Sequence, residues 1–320
     1  MIEVRPRVAI VGSANIDMII QSERLPRPGE TVTGGEFVSA GGGKGANQAI
    51  AAHRLGAQVT FVARVGDDGP GKQTLDNFVR EGLDVSWIAI DPETPTGVAL
   101  ILVDRSGQNM ISVAPGANRR LSAVDVDLAR QKIASARVLL TQLEIPITTV
   151  RTALTLGKEH GLTTVLNPAP AAVVPDDVLA LVDWLTPNES EATALVGFPV
   201  VDPSSAIQAA RQLLARGPTW VVVTRGEQGA IAVCEGQIIN LPALPVAAVD
   251  ATAAGDAFSA ALSVGLARNW PVERTLRYAS GAGALTATKI GAQPSLPTDK
   301  EVWAYLASDP VTTEPGRNGG

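Results

Sequence analysis

Apolar stretches of strand length alternate with longer segments of helical period along most of the chain. VAIVG precedes a helical segment after Lys44, and VTFVARVG precedes another from Gly71 to Gly82. The alternation returns around RVLLTQLE, TTVLNP, DWLTPN and TWVVVTRG. Such a pattern is typical of βαβ units, so we predict an α/β fold with a central, mostly parallel sheet and helices on both of its faces.

Two stretches depart from this alternation. ETVTGGEFVSAG alternates polar and apolar residues, while TGVALILV and NMISVA are separated by a turn at Ser106 and Gly107 that is typical of an antiparallel hairpin. A layer of two strands is marginally stable by itself. We therefore predict a small β-sheet that rests on the main domain, on a ligand or on its copy in a second subunit.

Composition excludes several classes of partner. The 320 residues, 45% of them hydrophobic, are enough for one large core. A net charge of −6 without a basic block predicts no nucleic-acid and no membrane partner. Cys234 is the only cysteine, which excludes an intrachain disulfide and favours a reducing compartment. No apolar run approaches the roughly 18 residues of a membrane span, so we expect a cytoplasmic protein.

Asn15 and Asp17 follow the first predicted strand in VGSANID, at the sheet edge where open α/β folds bind ligands. Only one glycine stands where a GxGxxG motif would need three, which disfavours a nicotinamide-dependent dehydrogenase. Taken alone, the pair is better explained by an Asx-turn.

A glycine-rich turn leads into an alanine-rich helix in GGGKGANQAIAAHRLG, from Gly41 to Gly56. Glycines allow close approach of a ligand to the backbone, and a helix start offers unpaired N–H groups. A Walker P-loop would need Ser or Thr directly after Lys44, where Gly45 stands. Tight packing would explain the glycines, but Lys44 and Asn47 favour recognition of hydroxyl groups.

Carboxylates follow two other predicted strands. Glu144 ends one strand segment, and Asn188 and Glu191 lie in TPNESEA at the start of a helix. Such groups can bind a polyol or, through water, Mg²⁺. The spacing of Asn188 and Glu191 fits a capping box equally well, and both explanations stay open.

The most informative segment is VDATAAGDAFSAAL, from Val249 to Leu262. Ala253, Ala254 and Gly255 are small residues whose N–H groups can face an anion, and Asp256 in the first helical turn can accept a proton. This pairing suits transfer of a phosphoryl group to an alcohol. Favourable interaction with the helix dipole would also explain Asp256, but it would not require small neighbours.

Six motifs occur together and in order between about Val8 and about Leu306: PGETVTG, GGKGANQA, LNPAPA, TPNE, AAGDAF and GAQPS. In this combination the chain resembles the ribokinases, within the ribokinase-like carbohydrate kinases. The resemblance implies a single domain over 1–308 with a β lid formed by about 15–42 and 95–116, followed by a flexible tail over 309–320. It also implies a homodimer in which the lid forms the contact.

The resemblance further implies a role for each matching position. The sugar is expected to contact Asn15, Asp17, Gly43, Lys44, Gly45, Asn47, Ala99, Ile101, Val113, Glu144 and Asp256. Catalysis is expected from Asp256 as the base, with the backbone amides of Ala253, Ala254 and Gly255. ATP is expected at Asn188, Glu191, Thr224, Arg225, Gly226, Glu227, Gln228, Gly229, Gly255 and Ser280. A potassium ion is expected at Asp250, Thr252, Thr286, Lys289, Gly291 and Ser295, and Mg²⁺ on the nucleotide phosphates.

The leading hypothesis is therefore ATP-dependent phosphorylation of D-ribose at O5, which gives D-ribose 5-phosphate and ADP. One alternative is a related kinase for deoxyribose, a nucleoside or another small sugar. An aromatic content of 4% favours a polyol over a nucleoside. The other alternative is a non-catalytic sugar sensor, which would be expected to lack Asp256 or its small neighbours. Arg225 and Ser280 depart from the family pattern, and both bear on recognition of the base.

Overall fold

The computed structural model describes residues 5–308, and the predicted tail over 309–320 lies outside them. The strands of the described residues are β1 (Arg7–Val11), β2 (Asn15–Gln21), β3 (Glu36–Gly42), β4 (Gln58–Gly66), β5 (Ile88–Asp91), β6 (Gly97–Val103), β7 (Asn109–Ala114), β8 (Val138–Thr141), β9 (Thr163–Leu166), β10 (Trp184–Leu185), β11 (Trp220–Thr224), β12 (Ala230–Cys234) and β13 (Gln237–Leu241). The α-helices are α1 (Lys44–Arg54), α2 (Gly69–Glu81), α3 (Ala123–Leu128), α4 (Arg130–Ala134), α5 (Ile147–Glu159), α6 (Asp176–Leu179), α7 (Glu189–Val196), α8 (Pro203–Leu214), α9 (Ala254–Ala267), α10 (Val272–Thr286) and α11 (Asp299–Ser308).

The main sheet has nine strands in the order β13-β12-β11-β10-β9-β8-β1-β4-β5. Neighbouring strands from β5 to β11 are parallel, and β12 and β13 are added in antiparallel fashion. Alternate residues of β1 enter two different cores: Val8 and Ile10 pack with α1, α9 and α10, while Ala9 and Val11 pack with α3, α4 and α5. The predicted α/β fold with helices on both faces is confirmed.

A second sheet of four strands has the order β3-β2-β6-β7, and we call it the lid. Asp17 on β2 pairs with Ala40 and with Ala99, and Ala99 pairs with Val113. Residues that pair directly share a face of a sheet, so these four side chains share one face. The Asx-turn suggested for Asn15 and Asp17 is wrong, because both residues lie in a strand that is paired on each side.

The predicted strand in DWLTPN shrinks to two residues, Trp184–Leu185. Pro187 has no N–H to donate to a neighbouring strand, and Asn188 already caps α7. None of the helices in residues 5–308 is long and apolar enough to cross a membrane.

Candidate active site

The glycine-rich turn brings the start of α1 against the end of β1. Gly43 has a φ of 87°, which a glycine adopts readily. A Cβ atom on Gly45 would lie 2.5 Å from the backbone nitrogen of Ser13. The turn therefore needs glycine at Gly43 for its conformation and at Gly45 for close packing.

Glu144 caps this helix from another strand end. Its Oε2 accepts hydrogen bonds from the backbone N–H of Lys44 at 2.9 Å and from the hydroxyl of Ser13 at 2.5 Å. A carboxylate is favoured at a helix N-terminus by the helix dipole. Within the described residues no donor reaches Oε1, so Glu144 keeps one oxygen for a ligand.

Asp256 lies in the first turn of α9 and is only 4% exposed. Its Oδ2 accepts a hydrogen bond from Nδ2 of Asn47 at 2.9 Å, and its Oδ1 accepts one from Nε2 of Gln48 at 3.1 Å. The N-terminal turns of α1 and α9 therefore meet at this carboxylate. The side-chain oxygen of Asn47 is buried without a hydrogen-bond partner, which leaves an acceptor beside Asp256 for a ligand hydroxyl.

The backbone amides around Asp256 are only partly available. The N–H of Ala254 donates to the carbonyl oxygen of Ala251 at 3.1 Å, so the expectation that Ala254 faces an anion is corrected. In the part of the chain that the structure describes, no protein acceptor takes the N–H groups of Ala253, Gly255 or Asp256. Unpaired amides at a helix start form an anion site, and here Gly255 and Asp256 are the helical contributors.

The acidic groups of the site influence one another. Burial raises the pKa of Asp17 to about 6, and the charges of Glu144 and Asp256 add to this rise. The carboxylate of Asp256 raises the pKa of Lys44, against the opposing effect of burial. Burial also raises the pKa of Glu191, and Asp256 contributes to the same direction. These five predicted residues therefore lie in one electrostatic cluster.

Asp17 should weaken the fold at neutral pH because its carboxylate is desolvated there. Its folded-state pKa lies above the unfolded value, so the folded protein loses stability as the pH rises through about 6. We expect Asp17→Asn to raise the free energy of unfolding at pH 7.5 by up to about 3 kcal/mol, and the gain to shrink as the pH falls toward 4. Denaturant titrations at both pH values measure this. A gain that does not change with pH would contradict the assignment.

A chain of buried amide groups holds Asp256 in place, and no sequence motif predicted it. Gln48 accepts a hydrogen bond from Gln142 and donates to Oδ1 of Asn167 at 3.1 Å, in addition to its bond to Asp256. Asn118 similarly donates to Oδ1 of Asn15 at 2.7 Å. Gln48 could have been found from the sequence, because it is a polar residue inside the alanine-rich α1 and a buried polar group needs partners.

The predicted nucleotide residues of α7 form the helix cap. Asn188 accepts a hydrogen bond from the N–H of Glu191 at 2.8 Å, and Glu191 accepts one from the N–H of Asn188 at 2.9 Å. The capping-box explanation is therefore confirmed. It leaves the side-chain NH₂ of Asn188 available, and a bridge between Asn188 and Thr224 places this cap beside the predicted nucleotide loop.

Arg225 stabilises the predicted nucleotide loop, residues 224–229, from inside. Its side chain is 6% exposed and forms an ion pair with Glu189 at 3.0 Å and a hydrogen bond with Gln228. The loop continues through a short 3₁₀ turn, Gly226–Gln228, and Glu227 is exposed. Arg225 therefore connects the loop to α7. Ser280, the other residue that departs from the family pattern, lies half-buried on α10.

The predicted potassium residues lie on two segments, residues 250–252 and 286–295, and a hydrogen bond of Asp250 connects them. Its carboxylate accepts hydrogen bonds from the N–H groups of Thr252 at 2.9 Å and Gly291 at 2.8 Å. The hydroxyls of Thr286 and Ser295 donate to backbone carbonyls of their own segments. Oxygen donors with one nearby carboxylate suit a hard monovalent cation. The ammonium of Lys289 pairs with Glu301 at 3.3 Å, so only its backbone can serve as a ligand.

The fold, the lid and a buried carboxylate beside free helix amides define a sugar kinase of the α/β class. The model of the pfkB family of carbohydrate kinases matches residues 5–299, and the chain belongs to this family.

Individual relatives narrow the comparison. The chain is 39% identical over 302 residues to the ribokinase of Haemophilus influenzae, covering 94% of this chain and 99% of that protein. It is 36% identical over 301 residues to the deoxyribokinase of Salmonella typhi, covering 94% and 98%. The structure of Arabidopsis thaliana ribokinase complexed with ribose and ATP is similar with a TM-score of 0.88 and 31% identity, covering 95% of this chain and 99% of that one.

Proposed function

We propose that this chain phosphorylates D-ribose at O5 with ATP and releases D-ribose 5-phosphate and ADP. The observation that carries the proposal is Asp256, a carboxylate held by Asn47 and Gln48 beside the free amides of Gly255 and Asp256 itself. A base next to an anion site is what phosphoryl transfer to an alcohol requires.

In the reaction, Asp256 takes the proton of the O5 hydroxyl while that oxygen forms its bond to the γ-phosphorus. The bond between the γ-phosphorus and the bridging oxygen of ADP breaks at the same time. The N–H groups of Gly255 and Asp256 stabilise the negative charge on the transferring group. Lys44, whose pKa is raised mainly by Asp256, stays protonated and adds positive charge to the site.

The lid favours a small polyol as the substrate. Ala99, Ile101 and Val113 share the face of Asp17 in the strand register, and they can cover a sugar ring. Phe37 pairs with Ile20, an odd number of positions from Asp17 along β2, so it projects from the opposite face. Because a nucleoside kinase would need an apolar or aromatic pocket for the base, this lid face fits ribose better.

The cofactors follow from the donor groups. ATP is proposed to lie along the 224–229 loop and the cap at Asn188. Glu191 can hold Mg²⁺ through water, since Mg²⁺ usually keeps several waters and few carboxylate ligands; the ion would neutralise charge on the nucleotide phosphates. Potassium is proposed between the segments that Asp250 connects. A cytoplasmic location stays a prediction.

An ADP-release assay across D-ribose, 2-deoxy-D-ribose and adenosine tests the function. We expect kcat/KM to be highest for D-ribose and to fall when potassium is replaced by choline at equal ionic strength. An equal or higher value for deoxyribose would overturn the ribose assignment and leave the kinase assignment standing. If no sugar led to release of ADP but a titration showed that a sugar binds, the non-catalytic sensor would be favoured.

We also propose that the lid joins two copies of the chain. The lid face opposite Asp17 exposes large apolar side chains, with Phe37 at 64% and Leu100 at 56% exposure. Apolar side chains thus lie on both faces of the lid, and the face of Asp17 is the one proposed to cover the sugar. Contiguous apolar surface of this kind marks an interaction site, and a second copy offers the same face.

Light scattering after gel filtration measures the dimer. We expect the wild-type chain to have twice the 33.1 kDa chain mass, and the double variant Phe37→Asp and Leu100→Asp to have the single chain mass, because carboxylates buried without a partner of opposite charge are costly. Val201→Asp, an exposed apolar site outside the lid, is the matched control. A double variant that remains dimeric would contradict a lid contact.

A further inference from the structure

A basic cleft lies at the end of the molecule away from Asp256. Its cavity of about 470 Å³ is lined by five arginines: Arg5, Arg7, Arg137, Arg268 and Arg274. Arg7 begins β1 and Arg137 directly precedes β8, so the cleft is at the amino ends of the strands. The helix α9 runs from Ala254 to Ala267, so Asp256 and Arg268 are separated by about 18 Å along its axis.

Positive charge in this cleft is mostly uncompensated. Among residues 5–308, Asp299 is the one carboxylate in its lining, and it already pairs with Arg268 at 2.8 Å and accepts the hydroxyl of Tyr278 at 2.5 Å. Across residues 5–308, no ion pair is formed by Arg5, Arg7 or Arg137. Guanidinium groups around one cavity repel one another. The chain as a whole has a net charge of −6, so this concentration of positive charge is local to the cleft.

Two of the arginines are fixed in place by aromatic rings. The guanidinium of Arg268 lies 4.7 Å from the ring centre of Trp270, and that of Arg274 lies 4.3 Å from Trp270 and 5.1 Å from Trp303. Cation–π contacts account for these two side chains without any ligand. They do not account for Arg5, Arg7 and Arg137, which line the same cavity.

We propose that this cleft binds a small molecule with two or more phosphate or other anionic groups, at a site separate from the active site. Guanidinium groups match phosphate oxygens in paired hydrogen bonds, and several guanidinium groups suit more than one anionic group. The cavity has the volume of small-molecule sites. Because the rest of the surface is net negative, a long polyanion is disfavoured. The proposal does not depend on the identity of the sugar.

Inorganic pyrophosphate is the probe, and calorimetry together with tryptophan fluorescence is the measurement. We expect saturable binding to the full chain, with a change in emission because Trp270 and Trp303 line the cleft. The double variant Arg7→Gln and Arg274→Gln should weaken this binding at least about tenfold, since hydrogen bonds to charged groups are strong. The single variant Arg7→Gln should weaken pyrophosphate binding less. Because Arg7 is exposed and forms no cation–π contact within residues 5–308, this change leaves the aromatic packing intact.

Arg211→Gln is the matched control, because Arg211 is an exposed arginine on α8, which packs on β11 and β12. It should bind pyrophosphate as the wild type does. Pyrophosphate that binds only at the active-site amides would bind the double variant unchanged, and that result would overturn the proposal. Absence of saturable binding to the wild type at millimolar pyrophosphate and low salt would overturn it as well.

Discussion

Asp256→Asn is expected to lower kcat by about 10³-fold, because general base catalysis contributes roughly 10²- to 10⁴-fold. The amide of Asn cannot take the proton of the attacking hydroxyl. Asn keeps the shape of the side chain and can still accept from Gln48. Its NH₂ group would replace the oxygen that faces Asn47, and Asn47 can turn its unpartnered oxygen toward it, so affinity for the sugar should change little. A coupled ADP-release assay gives kcat, and calorimetric titration with ribose gives the affinity.

Asp76→Asn is the matched control for this change, since Asp76 is exposed on α2 and should have no effect on turnover. Thermal unfolding of each variant checks that the fold is intact. If Asp256→Asn retained turnover within a few-fold of the wild type, Asp256 would not be the base. If it lost sugar affinity and turnover together, Asp256 would act mainly in binding.

The fold was predictable because its signals are local. Apolar runs such as VAIVG and VTFVARVG identify buried parallel strands by themselves, and the structure places them as β1 and β4. The lid was harder, because β2 follows β1 after only three residues and its Asn15 and Asp17 are residue types typical of a turn. Its pairing with β6 joins residues about eighty positions apart, which no local pattern reveals.

The site was predictable where a residue type carries chemistry at a helix start, as Asp256 and Lys44 do. The contact between Asn47 and Asp256 spans 209 positions, and only the fold brings these side chains together. The hydrogen bond from the N–H of Ala254 to Ala251 depends on a backbone turn that follows no composition rule. For the same reason the ion pair of Arg225 with Glu189 was not foreseen.

We expect Gln48 to position Asp256, because the hydrogen bonds of Gln48 have only one consistent orientation. Asp256 is acceptor-only when ionised, so Gln48 must direct its NH₂ group toward Asp256 and toward Oδ1 of Asn167. Its carbonyl oxygen then accepts from Gln142. The side chain of Gln48 is fully buried and both of its polar atoms have partners, so its position beside Asp256 is well fixed.

Gln48→Leu, which keeps the volume but removes these hydrogen bonds, should lower kcat by about 10- to 100-fold, the range expected when a catalytic group is misplaced by an ångström. The KM for ribose should stay within about threefold, because Gln48 does not reach the lid. Gln142→Leu removes one bond at the far side of the network and should cost less than Gln48→Leu. Steady-state kinetics of both variants, with thermal unfolding as the check on folding, measure the difference. An unchanged kcat in Gln48→Leu would refute the positioning role, and so would a kcat that falls only in proportion to the loss of folded protein.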